Sequence, residues 1–169
     1  MSAGTSDPTS DFLFRDDLED AAPFVDDLIR WEGERQARKL IFIPSQSYAP
    51  KAVREALGSR FQNIYAEGYP PTRMTWDPEE RLRDVAWQLS FYRRYADRRF
   101  YKGKDYVNLV ETLAQRRCAQ LFAQGATGSR EAIRPEHIHV NIQPLSGTPA
   151  NLGVYWTLME PGDTLMGLD

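Results

Sequence analysis

The sequence predicts an α/β chain, and three observations point that way. Hydrophobic residues make up 41% and charged residues 27% of the 169 positions, the balance of an ordinary globular chain rather than a disordered or membrane-embedded one. Several segments carry apolar residues at helical spacing between cap and breaker residues. Towards the end, a period-two stretch, a helix and another short apolar run follow in the strand, helix, strand order of a sheet with crossover helices. The length suits one domain, without an internal repeat or a linker.

Residues 1–22 form a polar, acidic lead that begins with Ser, Thr, Gly, Pro and Asp and buries little, so it is expected to be mobile. From Pro23 to Lys39 the apolar residues Phe24, Val25, Leu28, Ile29 and Trp31 recur at helical spacing, with Pro23 suited to a first turn. Leu40 to Ile43 is a β-prone run closed by Pro44, which predicts a brief strand. After the polar loop Ser45 to Tyr48, Pro50 opens a short helix through Leu57, with Gly58 just past its end.

Asn63 to Thr75 holds Gly68, Pro70 and Pro71 among aromatic residues and is expected to be an irregular packed loop. Asp77, Pro78 and Glu80 then read as cap acceptor, first-turn proline and capping-box acid. Leu82, Val85, Leu89 and Tyr92 continue that helix, and Arg93, Arg94, Arg98 and Arg99 crowd its carboxyl end, where cations favour the helix dipole. A solvated, dipole-matched helix end explains these arginines better than an anion site does. Another amphipathic helix runs from about Asp105 to Phe122. Ile138, Val140 and Ile142 alternate as in a strand, a helix follows from Pro149 to Met159, and Thr164 to Leu168 completes the visible chain as a short strand.

Charge and cysteine usage exclude several classes. With 24 acidic against 21 basic residues, a net charge of −3 argues against a phosphate-driven nucleic-acid binder. Cys118 is the single cysteine, so no intrachain disulfide or cysteine-rich metal site is available. No apolar run reaches membrane-spanning length and the start lacks an export signal, which together suggest a soluble cytoplasmic protein. His137 and His139 would share a face of the predicted strand, but a metal site needs further ligands and none can be assigned.

Two segments carry candidate chemistry. Ser146-Gly147-Thr148-Pro149 lies where a strand turns into a helix, and its hydroxyls, glycine and unpaired amides would cradle an anion. An ordinary helix cap explains the same residues. Tyr65-Ala66-Glu67-Gly68-Tyr69-Pro70 sets a carboxylate between phenols. A partly buried Glu67 there would move protons, while a packed aromatic turn with an exposed acid is the plainer alternative.

Taken together, the segments resemble serine hydroxymethyltransferase. The likeness is carried by Ile43-Pro44-Ser45-Gln46-Ser47-Tyr48, Ala56-Leu57-Gly58-Ser59, Asn63-Ile64-Tyr65-Ala66-Glu67-Gly68-Tyr69-Pro70 and Arg99-Phe100-Tyr101-Lys102-Gly103. It continues in Val140-Asn141-Ile142-Gln143-Pro144-Leu145-Ser146-Gly147-Thr148-Pro149-Ala150-Asn151 and in Pro161-Gly162-Asp163-Thr164-Leu165-Met166-Gly167-Leu168. The resemblance implies a fold-type-I pyridoxal 5'-phosphate enzyme that interconverts serine and glycine with one-carbon transfer to tetrahydrofolate. Such an enzyme is a homodimer with shared active sites.

By position, Ser146, Gly147 and Thr148 resemble the turn that holds the cofactor phosphate, and Tyr65 resembles the tyrosine that reaches the phosphate in the partner subunit. Ser45 resembles a substrate-contacting serine. Glu67 resembles the acid/base carboxylate, and Tyr101 the tyrosine at the substrate carboxylate. Glu67, Phe100 and Tyr101 match the folate side of the site.

Gln46-Ser47 departs from a more usual Glu-Asn, and Phe100 stands where tyrosine is common. Residues 71–98 read as an insertion carrying the amphipathic helix, which assigns the tyrosine role to Tyr101 rather than Thr75. On this likeness, 23–70 is the amino-terminal arm with the dimer contact and 99–169 the start of the cofactor-binding domain. The lysine and aspartate that hold the cofactor ring are expected beyond Asp169, so the chain alone is expected to be inactive. The alternative is a non-catalytic relative that keeps the arm as a dimerisation and interaction module.

Overall fold

In the computed structural model, residues 17–95, 98–123 and 132–167 are described. The chain divides into two units, residues 1–54 and 55–169. Most of the expected mobile lead, residues 1–16, lies outside the described residues. Leu18–Ala21 forms a single helical turn, α1.

In the first unit, Pro23 starts α2 (Pro23–Arg38) as predicted. Pairs one turn apart brace this helix, including Arg35 Nε to Glu32 Oε2 at 2.6 Å. Hydrogen bonds from Arg35 and Gln36 hold the Glu32 carboxyl down to about 2. Leu40 to Ile43 is not a strand: it pairs with no second strand among the described residues, and Phe42 is 86% exposed. Apolar β-prone residues form a ladder only when a second strand takes their amides and carbonyls, and none does so among the described residues. Helix α3 (Lys51–Leu57) follows one residue after Pro50.

The second unit is built on a two-stranded antiparallel ladder. A turn of 3-10 helix, Arg60–Asn63, leads into β1 (Gly68–Tyr69), which pairs with β2 (Arg98–Arg99) in the register Gly68 to Arg99 and Tyr69 to Arg98. Gly68 has φ +100°, and a Cβ there would lie 2.8 Å from the Arg99 Cα and against the Arg98 carbonyl, so a side chain is excluded. Everything between the strands is an excursion that leaves the ladder and returns to it.

That excursion holds α4 (Arg73–Trp76), α5 (Glu79–Arg83) and α6 (Val85–Arg94) in place of the single helix expected from Asp77. Two aspartates account for the difference. Asp77 ends α4 and is not the N-cap of α5, because its Oδ2 accepts from Arg73 Nη1 at 2.7 Å and from Gln88 Nε2 at 3.1 Å. Asp84 breaks the helix and caps α6 by accepting the Trp87 amide at 3.0 Å. The arginines also separate: Arg93 and Arg94 sit in the last turn of α6, whereas Arg98 and Arg99 belong to β2 and Arg99 is buried.

The excursion packs on α7 (Val107–Phe122). Met74, Leu82 and Leu109 form the buried cluster, with Leu113 against it. Arg116 donates to the Met74 carbonyl at 2.5 Å and to the Asp77 carbonyl, and Arg117 Nη2 reaches Glu79 Oε1 at 2.9 Å. One face of α7, from Leu109 to Arg116, thus holds the excursion by apolar contact and by carbonyl capture.

Ile138 to Ile142 follows a 3-10 turn, Pro135–His137, and forms no strand among the described residues. His137 is therefore drawn onto that turn beside Arg134, whose Nη2 lies 3.2 Å from His137 Nε2, rather than sharing a strand face with His139. Helix α8 (Gly147–Leu158) starts two residues before the predicted point. It ends in a turn in which the Glu160 amide donates to Asp163 Oδ2 at 2.8 Å. Residues 164–167 are unpaired as well, and Leu168 lies outside the described residues.

Candidate functional site

The ladder brings four of the sequence-predicted residues to one place. Because Gly68 pairs with Arg99, the residues before β1 meet those after β2: the Phe100 amide donates to the Glu67 carbonyl at 3.2 Å. The rings of Tyr65 and Tyr101 stand 5.7 Å apart at 52°. Tyr101 is therefore the tyrosine beside Tyr65, whereas Thr75 lies on α4. All four side chains face water, so of the two readings of this turn the structure has the plainer one, with an exposed Glu67. The backbone carries the packing here, and the Glu67 carboxylate is left accessible.

Beneath this cluster lies a polar network that the sequence did not disclose. Arg99 donates to Asn108 Oδ1 at 2.9 Å and to the carbonyls of Ala66 and Gly68 at 2.8 Å each, and it pairs with Glu111 Oε2 at 2.5 Å. Gln143 Nε2 joins from the loop before α8, donating to the Gly68 carbonyl at 2.6 Å and to Glu111 Oε1 at 2.8 Å. The signal available beforehand was Asn108 and Glu111 set among Leu109, Thr112 and Leu113 on α7. Polar residues on a buried helix face require partners.

Ser146, Gly147 and Thr148 begin α8. Ser146 is extended (φ −160°, ψ 177°), its carbonyl accepts the Ala150 amide at 3.3 Å, and its side chain makes no cap hydrogen bond among the described residues. Apart from its chain neighbours and the backbone of α8 itself, nothing lies within 4 Å of where a Cβ on Gly147 would stand. The Gly147 and Thr148 amides precede the first helical hydrogen bond, so they and both hydroxyls are open to an anion. Ser45 is in the first unit, in a turn closed by the Gln46 amide on the Ile43 carbonyl at 3.0 Å. Tyr48 Oη ties that loop to α2 by donating to the Lys39 carbonyl at 3.1 Å.

A family model for serine hydroxymethyltransferase matches residues 18–80 and 86–169. The chain belongs to the serine hydroxymethyltransferase family. It is 37% identical over 146 residues to the serine hydroxymethyltransferase of Acidothermus cellulolyticus, covering 86% of this chain and 25% of that protein. Against that of Kocuria rhizophila it is 40% identical over 151 residues, covering 89% and 26%. Against the cytosolic serine hydroxymethyltransferase of Oryctolagus cuniculus it is 35% identical over 152 residues, covering 90% and 24%. The chain thus spans about a quarter of the length of these curated relatives. No solved structure matches it.

Within the serine hydroxymethyltransferase match, residues 81–85 are left out. This gap contains Asp84, the residue that separates α5 from α6, and lies inside the excursion between β1 and β2. No helix among the described residues is long and apolar enough to cross a membrane, and no group of three or more His, Cys, Asp or Glu there would hold a metal ion.

Proposed function

We propose that this chain is the amino-terminal share of a pyridoxal 5'-phosphate-dependent serine hydroxymethyltransferase of fold type I, which interconverts serine and glycine with one-carbon transfer to tetrahydrofolate. The observation that carries the proposal is the cluster of Tyr65, Glu67, Phe100 and Tyr101, assembled by the β1–β2 ladder in a chain of this family. In the complete enzyme, taken as a homodimer, this cluster serves the partner's active site.

The Ser146–Thr148 turn fits the cofactor phosphate. It offers two hydroxyls, two leading amides and the positive end of a 12-residue helix, with open space at Gly147. When bound, the cofactor supplies an electron sink. Ser146 and Thr148 would hold its phosphate by hydrogen bonds, and Tyr65 would donate to the phosphate of the neighbouring subunit. Ser45 and Tyr101 orient the amino-acid substrate, Tyr101 at its carboxylate. Glu67 holds or moves a proton at the substrate hydroxyl oxygen, within reach of folate, and the apolar ring of Phe100 stands beside it.

Replacing Glu67 tests the assignment. In the complete enzyme, Glu67→Gln is expected to lower kcat by about 100- to 10,000-fold, the usual worth of a general acid or base, with cofactor binding retained. Unchanged turnover would refute the role.

A further inference from the structure

Residues with no role in the chemistry above hold the backbone on both sides of Glu67. From Nη1, Arg99 donates at 2.8 Å to the Ala66 carbonyl and at 2.8 Å to the Gly68 carbonyl. The Glu67 carbonyl between them takes the Phe100 amide at 3.2 Å. Three consecutive carbonyls are therefore engaged, and the direction of the Glu67 side chain is set by a backbone that cannot turn without losing them. Gln143 closes the arrangement into a ring. Its Nε2 donates to the Gly68 carbonyl at 2.6 Å and to Glu111 Oε1 at 2.8 Å, while Glu111 Oε2 pairs with Arg99 Nη2 at 2.5 Å.

We infer that Arg99 and Gln143 are positioning residues for Glu67, acting on the reaction through the carbonyls of Ala66 and Gly68. The inference rests on the acid/base reading of Glu67 and deepens it. Gln143 also stands three residues before Ser146, so the ring ties the Glu67 loop to the segment leading into the phosphate turn. Misplacing a reacting group by an ångström costs about 100-fold in rate, so a clamp on the flanking carbonyls has catalytic consequences without touching substrate.

Gln143→Leu is the informative variant, because Gln143 is exposed and outside any helix, whereas removing Arg99 strands the buried Glu111 carboxylate. In the complete enzyme, Gln143→Leu is expected to lower kcat by about 10- to 100-fold. The KM for serine and the cofactor absorbance should stay near those of the parent. In a Glu67→Gln background the same change is expected to cost less than about twofold, since the residue it positions is already gone. A merely structural role predicts an equal loss in both backgrounds, and that result would overturn the inference, as would wild-type kcat in Gln143→Leu. A large loss in Glu67→Gln alongside none in Gln143→Leu defeats the inference and leaves the acid/base reading standing. Wild-type turnover in Glu67→Gln itself overturns both.

Discussion

Arg99 and Glu111 meet with side chains 0% and 9% exposed, so neither charge has water to replace its partner. Breaking such a pair from one side takes from the other buried charge the partner it meets here. Glu111→Ala is expected to destabilise the fold by about 3–5 kcal/mol, read as a lower urea midpoint. The double change Arg99→Met with Glu111→Leu should cost less than Glu111→Ala, and the reverse order would contradict this account of the pair. At the turn proposed to hold the cofactor phosphate the stake is binding rather than folding, because Thr148 is exposed and lies in the first turn of α8. A hydrogen bond to a charged group is worth about 1.5–3 kcal/mol, so Thr148→Val in the complete enzyme should weaken cofactor binding by about 10- to 100-fold. A titration of the cofactor absorbance that leaves the Kd unchanged would remove Thr148 from the phosphate site.

Among the elements, α5 is held to α7 by an ionic contact that pH can weaken. Glu79 accepts from Arg83 at 2.6 Å and from Arg117 at 2.9 Å, and those hydrogen bonds lower its carboxyl below the ordinary 4.5. A carboxyl lowered in the folded state contributes stability that is fully present above the unfolded value. That contribution fades as pH falls from about 4.5 through the lower folded value. Amide exchange protection of α5, corrected for intrinsic rate, should therefore drop over that window. Glu79→Gln should flatten the response, and an unaltered pH profile in that variant would exclude Glu79 as its source.

The elements also differ in how legible they are in the sequence. Helices α2, α3, α7 and α8 stand close to their predicted bounds because periodicity and caps are local signals. The runs at 40–43, 138–142 and 164–167 have strand composition but no ladder among the described residues, since a ladder depends on a partner that a local pattern cannot supply. The paired strands are two residues each and were hidden in an expected loop and an expected helix end. Asp77 and Asp84 are both competent caps, and which of them caps a helix was decided by Arg73 and Gln88, not by their neighbours in sequence. The candidate site was legible as motifs at Glu67, Tyr101 and Ser146. The clamp of Arg99, Glu111 and Gln143 joins residues 12 to 44 positions apart and left no local pattern.

At the scale of the molecule, the described residues expose more large apolar side chains than they bury. Helix α8 is apolar on every side yet has no buried residue, with Trp156 81% exposed, and Leu145 before it is 97% exposed. A helix that is hydrophobic all round belongs inside a larger core. Such a core accords with relatives of which this chain covers about a quarter. The proposed function is therefore one of a complete enzyme, in which α8 would be covered and, on that proposal, the Ser146 turn and the Glu67 loop would serve neighbouring active sites. Serine turnover by that enzyme, followed as glycine formed with tetrahydrofolate present and pyridoxal phosphate titrated in, tests the central claim most directly. Glycine production is expected to rise with cofactor occupancy and to require tetrahydrofolate. A folded, cofactor-loaded protein that forms no glycine from serine would contradict the claim.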